Sequence, residues 1–188
     1  MLAAIAVAVL VVIPASAQDS GSDPFTDVRD GEKLHAASGF LCPARIGHFI
    51  LDAVGEADPA RGSDFCAYSA LAGVYGNIRL TLLSEPYDAK TSLAPEFVEQ
   101  EGAGAKRVDE RMVALTARPG APPLAVYTRT YETAKLDTLH YRVLFAGAQL
   151  RNWAVETTIE YADPRDLAVE AEFLRAIYAE AQKEIAKK

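Results

Sequence analysis

The chain has 188 residues, of which 50% are hydrophobic, and a formal net charge of −7 at pH 7. This length fits one domain with a sizeable core. The acidity argues against nucleic acid and against anionic membrane surfaces as partners, because both attract Lys and Arg.

An apolar run at the start is typical of a secretory signal peptide. Residues 2–13 carry no charged side chain, and this run is too short for a membrane-spanning helix, which needs roughly twenty residues. Pro14 and a small-residue A-x-A site at 15–17 follow. We therefore predict a signal peptide over 1–17 that is cleaved before Gln18. The mature protein would be periplasmic or secreted, with no stable insertion in a membrane.

The start of the folded domain is less sharply marked. The residues directly after Met1 include no Lys or Arg, which leaves open an earlier true start. The alternative to a signal peptide is a buried N-terminal strand or a short uncleaved anchor. Residues 18–32 are polar, acidic and rich in turn formers, which predicts a flexible leader. A single domain is then expected over 33–188.

Cys42 and Cys66 are the whole cysteine inventory. In an oxidising compartment, an even pair of this kind forms a disulfide. Closing a loop of about 25 residues would contribute about 3.5 kcal/mol in the chain-entropy treatment. A redox pair would favour C-x-x-C spacing, and a zinc site would need further Cys or His residues nearby. The pair therefore predicts a structural disulfide.

Short strands and loops alternate in the first half of the domain. Two apolar stretches are expected within 39–53, and the Gly and Pro residues of 54–65 predict a loop. A strand is expected at 65–68 and a turn at 73–77. From 78 to 82 apolar and polar residues alternate, as in a half-buried strand.

The second half has a clearer pattern. Pro95 and the acidic residues after it predict a short helix near 95–101. Gly147 is expected to permit a tight reversal of the chain. The β-forming, mostly alternating segments predict strands at 108–115, 124–131, 139–145 and 152–161.

The last element is a long amphipathic helix. Asp163 suits its N-cap, Pro164 the first helical position and Asp166 the first turn. Apolar residues then recur at intervals of three and four and form one stripe. The predicted fold is α+β, with an antiparallel β-sheet, this C-terminal helix packed across one face, and the short helix near 95–101.

The C-terminal quarter of the chain resembles a known fold. The segments concerned are YRVLF (141–145), WAVETTIEYADPRD (153–166) and FLRAIYAEA (173–181). A hairpin that runs through a charged turn into a terminal helix resembles the C-terminal part of PsbP/Mog1-like α/β sandwich domains, which include bacterial envelope members. The resemblance implies photosystem accessory, binding or envelope roles without selecting one, and no functional residue is carried over.

Catalytic motifs are missing from the sequence. His35, His48 and His140 do not have metal-ligand spacing, and we expect His35 in a loop and the other two in strands. Neither Ser38 nor Ser63 lies in a G-x-S-x-G or S-x-x-K motif, although a triad assembled from distant segments stays open. No phosphate-binding glycine loop is present. We therefore assign no catalytic residue, metal ligand or cofactor.

Two groups of polar and aromatic residues remain. Glu156 and Glu160 would share one strand face, which we interpret as solvated. Tyr127, Arg129 and Tyr131 also share a face, which would be a wet aromatic surface for a peptide or glycan. Ordinary packing of these three side chains under a loop or helix is the alternative.

The sequence thus favours a non-enzymatic binding or accessory protein of the cell envelope. Its partner would be an envelope protein, a peptide or a glycan. Two alternatives stay open, namely a secreted hydrolase with a dispersed active site and a small-ligand carrier with an apolar pocket under the C-terminal helix. A pocket with His48 or His140 beside a serine or carboxylate would favour the hydrolase.

Overall fold

A computed structural model describes residues 23–70, 74–116, 119–133, 140–162 and 166–185. The predicted signal peptide, including its cleavage site, lies outside these ranges. Asp163 and Pro164, the expected first residues of the C-terminal helix, also lie outside them.

Antiparallel strands make up most of the described chain. In order they are β1 (Phe25–Asp27), β2 (Lys33–His35), β3 (Leu41–Cys42), β4 (Arg45–Ile46), β5 (Phe49–Asp58), β6 (Ser63–Ala70), β7 (Val74–Leu82), β8 (Lys106–Leu115), β9 (Leu124–Glu132), β10 (Tyr141–Leu150) and β11 (Trp153–Ala162). The helices are α1 (Ala89–Ser92), α2 (Ala94–Gly102) and α3 (Leu167–Glu184). A 3-10 turn, Pro59–Arg61, connects β5 to β6.

The strands form two sheets. Strands β1, β2 and β3 form a small sheet, and the other eight form a large antiparallel sheet in the order β4-β5-β6-β7-β11-β10-β9-β8. Helix α3 packs on one face of the large sheet, here called the α3 face, while α1 and α2 pack on the opposite face, the α2 face. The α+β prediction with an antiparallel sheet and a C-terminal helix is confirmed, although the protein has more strand than the sequence indicated.

The main core lies between α3 and the sheet. Fully buried Ile78 and Leu80 of β7 and Val155 of β11 meet Phe173 and Ile177 of the helix. Burying a large apolar side chain of this kind contributes roughly 1.5–3 kcal/mol. These contacts explain why the apolar stripe of α3 was readable from the sequence, since the helix covers the sheet with one side only.

The start of α3 differs from the prediction. Its N-cap is Asp166, whose carboxylate accepts hydrogen bonds from the N–H groups of Ala168 and Val169. The prediction that Asp166 lies in the first turn is therefore wrong. A carboxylate at the N-cap satisfies helix N–H groups that have no partner within the helix.

A second core lies on the α2 face. Leu93 and Phe97 pack against Tyr127 and Tyr131 of β9 and Phe145 of β10. The predicted short helix is confirmed and is one residue longer at each end than expected. It covers the β8–β10 side of this face, whereas Tyr75 and Asn77 of β7 are exposed.

Several boundaries in the N-terminal half differ from the prediction. Strand β1 lies within the expected leader at 18–32, and its Phe25 is only 4% exposed, so the domain begins no later than this residue. Strand β5 continues to Asp58, through the first part of the expected 54–65 loop. Residues 74–77 belong to strand β7 and not to a turn.

The predicted disulfide between Cys42 and Cys66 is confirmed. Cys42 lies on β3 of the small sheet and Cys66 on β6 of the large one, with their Cα atoms 6.3 Å apart and both residues fully buried. The bond therefore ties the small N-terminal sheet to the main sheet. Across the described ranges, no helix combines the length and the apolar character needed to cross a membrane.

Candidate functional site: an acidic cleft beside helix α2

A cleft of about 410 Å³ lies on the α2 face, between helix α2 and the strands in the middle of the sheet. Strands β7 and β11 supply its floor, because the side chains of odd-numbered residues in β7 and of even-numbered residues in β11 point to this face. Helix α2 supplies one wall. The charged residues that line it are Asp52, Arg79, Glu96, Glu99, Glu156 and Glu160.

A charged network forms the floor of the cleft. Arg79 and Glu156 are directly opposite each other on β7 and β11. The Nε and Nη2 atoms of Arg79 each lie 2.7 Å from Oε2 of Glu156. Its Nη1 atom lies 2.7 Å from Oε1 of Glu96 on α2. One guanidinium thus holds a carboxylate of the sheet and a carboxylate of the helix.

Glu156 is the most deeply placed member of this network. It is 3% exposed, and its second oxygen, Oε1, accepts a hydrogen bond of 2.9 Å from the Tyr87 hydroxyl. A buried carboxylate costs several kcal/mol of desolvation unless it is paired and hydrogen-bonded. Both oxygens have partners here, Arg79 on Oε2 and Tyr87 on Oε1. The interpretation of Glu156 as part of a solvated face is therefore wrong, whereas Glu160 is exposed as expected.

The pKa values of the network follow from burial and charge. Burial by itself lowers the pKa of Arg79, but the carboxylates of Glu156 and Glu96 outweigh that effect and raise it. Burial raises the pKa of Tyr87, and the neighbouring Glu156 carboxylate raises it further. Tyr87 therefore remains a protonated donor, and Arg79 remains a cation.

Gly147 makes room for the Tyr87 hydroxyl. This glycine lies in the middle of β10, opposite Glu156 of β11, so the expected tight reversal at Gly147 is wrong. A Cβ atom added to Gly147 would collide with the Tyr87 hydroxyl oxygen and would lie 3.4 Å from the Cβ of Ala89. The missing side chain is therefore what lets Tyr87 reach the buried carboxylate.

The cleft carries a surplus of negative charge. Five carboxylates line it against one guanidinium, and that guanidinium is already paired with Glu156 and Glu96. In the described part of the chain, Asp52, Glu99 and Glu160 form no ion pair and face solvent at the rim. No group of three or more His, Cys, Asp or Glu residues that could hold a metal ion is found among the described residues.

The predicted aromatic surface lies on the same face but is covered. Arg129 stacks on the ring of Phe97 in α2, with 3.8 Å between its Cζ atom and the ring centroid. It donates hydrogen bonds to the hydroxyls of Tyr127 and Tyr131, at 2.8 and 3.1 Å. Tyr127 and Tyr131 are 3% and 0% exposed. The three residues are brought together as predicted, but they pack under α2, and the expectation of an open surface is wrong.

Glu110 completes this covered cluster. Its carboxylate is bound by Lys90 at 2.8 Å and Arg129 at 3.1 Å, and it accepts a hydrogen bond of 3.0 Å from Tyr127. The hydrogen bond from Lys90, with those from Arg129 and Tyr127, lowers the pKa of Glu110 to about 2 against the opposing effect of burial. The cluster therefore fastens the two helices to strands β8 and β9.

A Ser-His-Asp chain is present but closed to substrate. His35 lies 2.7 Å from the Ser38 hydroxyl through Nδ1 and 2.8 Å from the Asp64 carboxylate through Nε2. Its position in strand β2 corrects the expected loop. His35 is 0% and Ser38 is 1% exposed, and the Ser38 oxygen also accepts the N–H of Phe40. No substrate carbonyl could approach this serine, so the chain serves packing of the N-terminal sheet.

The other histidines do not provide an active site. His48 is exposed in the turn between β4 and β5, and it lines one pocket with Ser69 and Glu172. Among the described residues, however, no hydrogen bond joins these three side chains, so a nucleophile and its base are not paired. His140 is exposed immediately before β10. The expected strand positions of His48 and His140 are therefore wrong.

The space beneath α3 is filled where the structure describes it. Phe173, Ile177, Tyr178 and Ala181 are 0% exposed against the sheet. Gly76 of β7 even accommodates the Phe173 ring, since a Cβ there would lie 2.5 Å from the ring Cζ atom. A ligand cavity under the middle of this helix is therefore not available.

Comparison with known proteins adds no assignment to this site. No family of known proteins matches the chain, and a search of curated proteins finds no match. The resemblance to PsbP/Mog1-like domains stays a prediction.

Proposed function

We propose that the protein is an exported binding protein of the cell envelope, and that the acidic cleft takes a cationic segment of a partner protein. The surplus of carboxylates in the cleft carries this proposal. A Lys or Arg side chain could place its charge between the rim carboxylates, where Arg79 does not compete because it is already paired.

The network under the cleft suits binding better than catalysis. Both oxygens of Glu156 already accept hydrogen bonds from Arg79 and Tyr87, so this carboxylate is held in a fixed position within the fold. The rim groups Glu99 and Glu160 are free to meet a ligand. Complementary charges of this kind contribute specificity and association rate more than affinity.

The strength of binding should depend on salt. Exposed ion pairs contribute at most about 1 kcal/mol each, so a segment with three or four cations gains at most about 4 kcal/mol, which corresponds to a Kd of about 1 mM or weaker. The Debye length is about 8 Å at 0.15 M salt. Affinity should therefore fall as salt is raised, whereas a glycan held by aromatic stacking would be nearly insensitive to salt.

Export is the second half of the proposal. The disulfide between Cys42 and Cys66 supports an oxidising compartment, and the apolar run at 2–13 supports a signal peptide.

Calorimetric titration with three probes tests the ligand class. Tetralysine amide should bind, and tetraglutamate and a neutral chitin tetrasaccharide should not. The double variant Glu99→Gln/Glu160→Gln should weaken tetralysine binding by about tenfold, which corresponds to about 1.4 kcal/mol. The double variant Glu56→Gln/Glu85→Gln has the same charge change at exposed positions outside the cleft.

The control variant separates a local effect from the charge of the whole protein. If both double variants weaken binding equally, the cleft is not the site. If the neutral sugar binds and tetralysine does not, a glycan-binding protein replaces the proposal.

A further inference from the structure

A second pocket, separate from the cleft, lies at the N-terminal end of α3. It has a volume of about 450 Å³. The turn between β4 and β5, the end of β6, the start of β7 and the first turns of α3 surround it. This volume is within the range of small-molecule sites, which is about 300–1,000 Å³.

Apolar side chains form most of the pocket wall. Phe49, Ile50, Ala70, Val74 and Val169 line it from four different elements. Ile50 is 48% exposed, so it offers apolar surface to the pocket. A ligand with an apolar body would bury this surface, and each CH₂ group removed from water contributes about 0.8 kcal/mol.

Opposite charges line the same pocket without pairing. Arg45 lies on β4 and Glu172 on α3. Neither side chain forms an ion pair with any described residue. The Glu172 carboxylate lies against the turn at Gly47, where a Cβ atom would come within 2.5 Å of its Cδ and Oε2 atoms. Gly47 also has a φ of +55°, which favours glycine.

These observations define the chemistry of a ligand. An apolar body fits the wall, an anionic group fits Arg45, and a cationic group fits Glu172. His48 and Ser69 line the pocket as further hydrogen-bonding groups. A fatty acid would use only Arg45, and an apolar amine would use only Glu172. A molecule that carries both charges beside a compact apolar group can contact Arg45, Glu172 and the apolar wall at the same time.

We propose that this pocket binds a free apolar α-amino acid. Arg45 holds the α-carboxylate, Glu172 holds the α-ammonium, and the side chain lies against Val74 and Val169. The proposal rests on residues that do not line the acidic cleft, so a test of one site does not decide the other.

Titration of the full mature chain with L-phenylalanine tests the proposal, followed by amide chemical shifts and calorimetry. Two analogues each remove one charge, N-acetyl-L-phenylalanine the ammonium and phenethylamine the carboxylate. L-Phenylalanine should bind at least about tenfold more tightly than either analogue. The shifts should centre on Ile50, Ser69 and Val169.

Two variants assign the charges. Arg45→Gln should remove the preference for L-phenylalanine over phenethylamine, and Glu172→Gln should remove its preference over the N-acetyl compound. Both side chains are exposed, so the variants should keep the fold, which the melting temperature checks. Arg175→Gln, at an exposed position of α3 outside this pocket, is the matched control and should change nothing.

Three outcomes would overturn the proposal. These are no binding of L-phenylalanine at millimolar concentration, equal binding of all three compounds, or shifts that lie outside the pocket. The variant Glu99→Gln/Glu160→Gln should leave amino-acid binding unchanged, which distinguishes a failure here from a failure of the cleft.

Discussion

The hydrogen bond from Tyr87 to Glu156 depends on the absence of a side chain at position 147. Replacing Gly147 with Ala places a methyl group where the Tyr87 hydroxyl lies. Strand β10 continues on both sides of this position, so its backbone cannot move away easily. We expect the hydroxyl to be displaced, which leaves Oε1 of the buried Glu156 without its donor.

The expected cost follows from that lost donor. A hydrogen bond to a charged group contributes about 1.5–3 kcal/mol. Tyr87→Phe, which removes only the hydroxyl, should therefore lower the free energy of unfolding by about 2 kcal/mol. Gly147→Ala should cost about 2–3 kcal/mol, since the methyl also presses on the Tyr87 ring, whose Cζ atom would lie 3.3 Å away.

A double-mutant cycle identifies the mechanism. If the methyl acts by displacing the hydroxyl, the two costs overlap, and the double variant should lose about 2–3 kcal/mol and not about 4–5. Urea unfolding with the disulfide intact measures all three values. Gly102→Ala is the control, because a Cβ there meets no atom within 4 Å. It should change stability by less than about 1 kcal/mol.

Fully additive costs would refute the reasoning. They would mean that the methyl and the hydroxyl do not compete for the same space. A cost below about 0.5 kcal/mol for Gly147→Ala would refute it as well, because the bond to Glu156 would then contribute little.

Two further variants test the supports of the fold. Replacing Cys42 and Cys66 together with Ala should lower the free energy of unfolding by about 3.5 kcal/mol, and a loss below about 1 kcal/mol in urea unfolding would contradict the role of the bond between the sheets. For Glu110, the folded-state pKa of about 2 lies below the unfolded value of about 4.3, so its stabilisation is present above pH 4.3 and is lost as pH falls through 2. Glu110→Gln should therefore lower stability at pH 7 by about 1–2 kcal/mol, discounted for partial exposure, with the difference shrinking below pH 4. A difference that is constant from pH 7 to pH 2 would contradict this assignment.

The sequence predicted elements whose pattern is local. The apolar stripe of α3 and the alternation of β11 follow from burial on one face, and residues such as Ile177 and Ile159 are fully buried as expected. Strand β5 was missed at its end because Gly55 and Pro59 mark loops in most sequences. It is an outer strand with bulges, where such residues are tolerated.

The floor of the cleft could not be predicted without the strand order. Glu156 alternates with apolar residues, which is the pattern of a half-solvated strand. Its burial depends on Arg79, 77 positions earlier in the chain, which only the pairing of β7 with β11 brings opposite. Arg79 itself lies between the apolar residues Ile78 and Leu80. A cation between two apolar residues of a predicted strand was the one feature of the sequence that could have indicated this pairing.

The aromatic group on β9 illustrates the same limit. The prediction that its three side chains point to the same face of the sheet was correct. Whether that face is open, however, depends on the helix that covers it. Phe97 of α2 lies 6.2 Å from Tyr127 and 6.1 Å from Tyr131 between ring centroids. Nothing in the spacing of Tyr127, Arg129 and Tyr131 indicates that contact.

Binding of a cationic segment in the cleft is the central claim, and mapping the bound position tests it most directly. Tetralysine amide should be added to isotopically labelled protein while the backbone amide shifts are followed. The largest changes should lie at Asn77, Glu99 and Thr158, which line the cleft, and they should diminish as salt is raised. Changes scattered over the acidic surface, or none at millimolar peptide, would contradict the account.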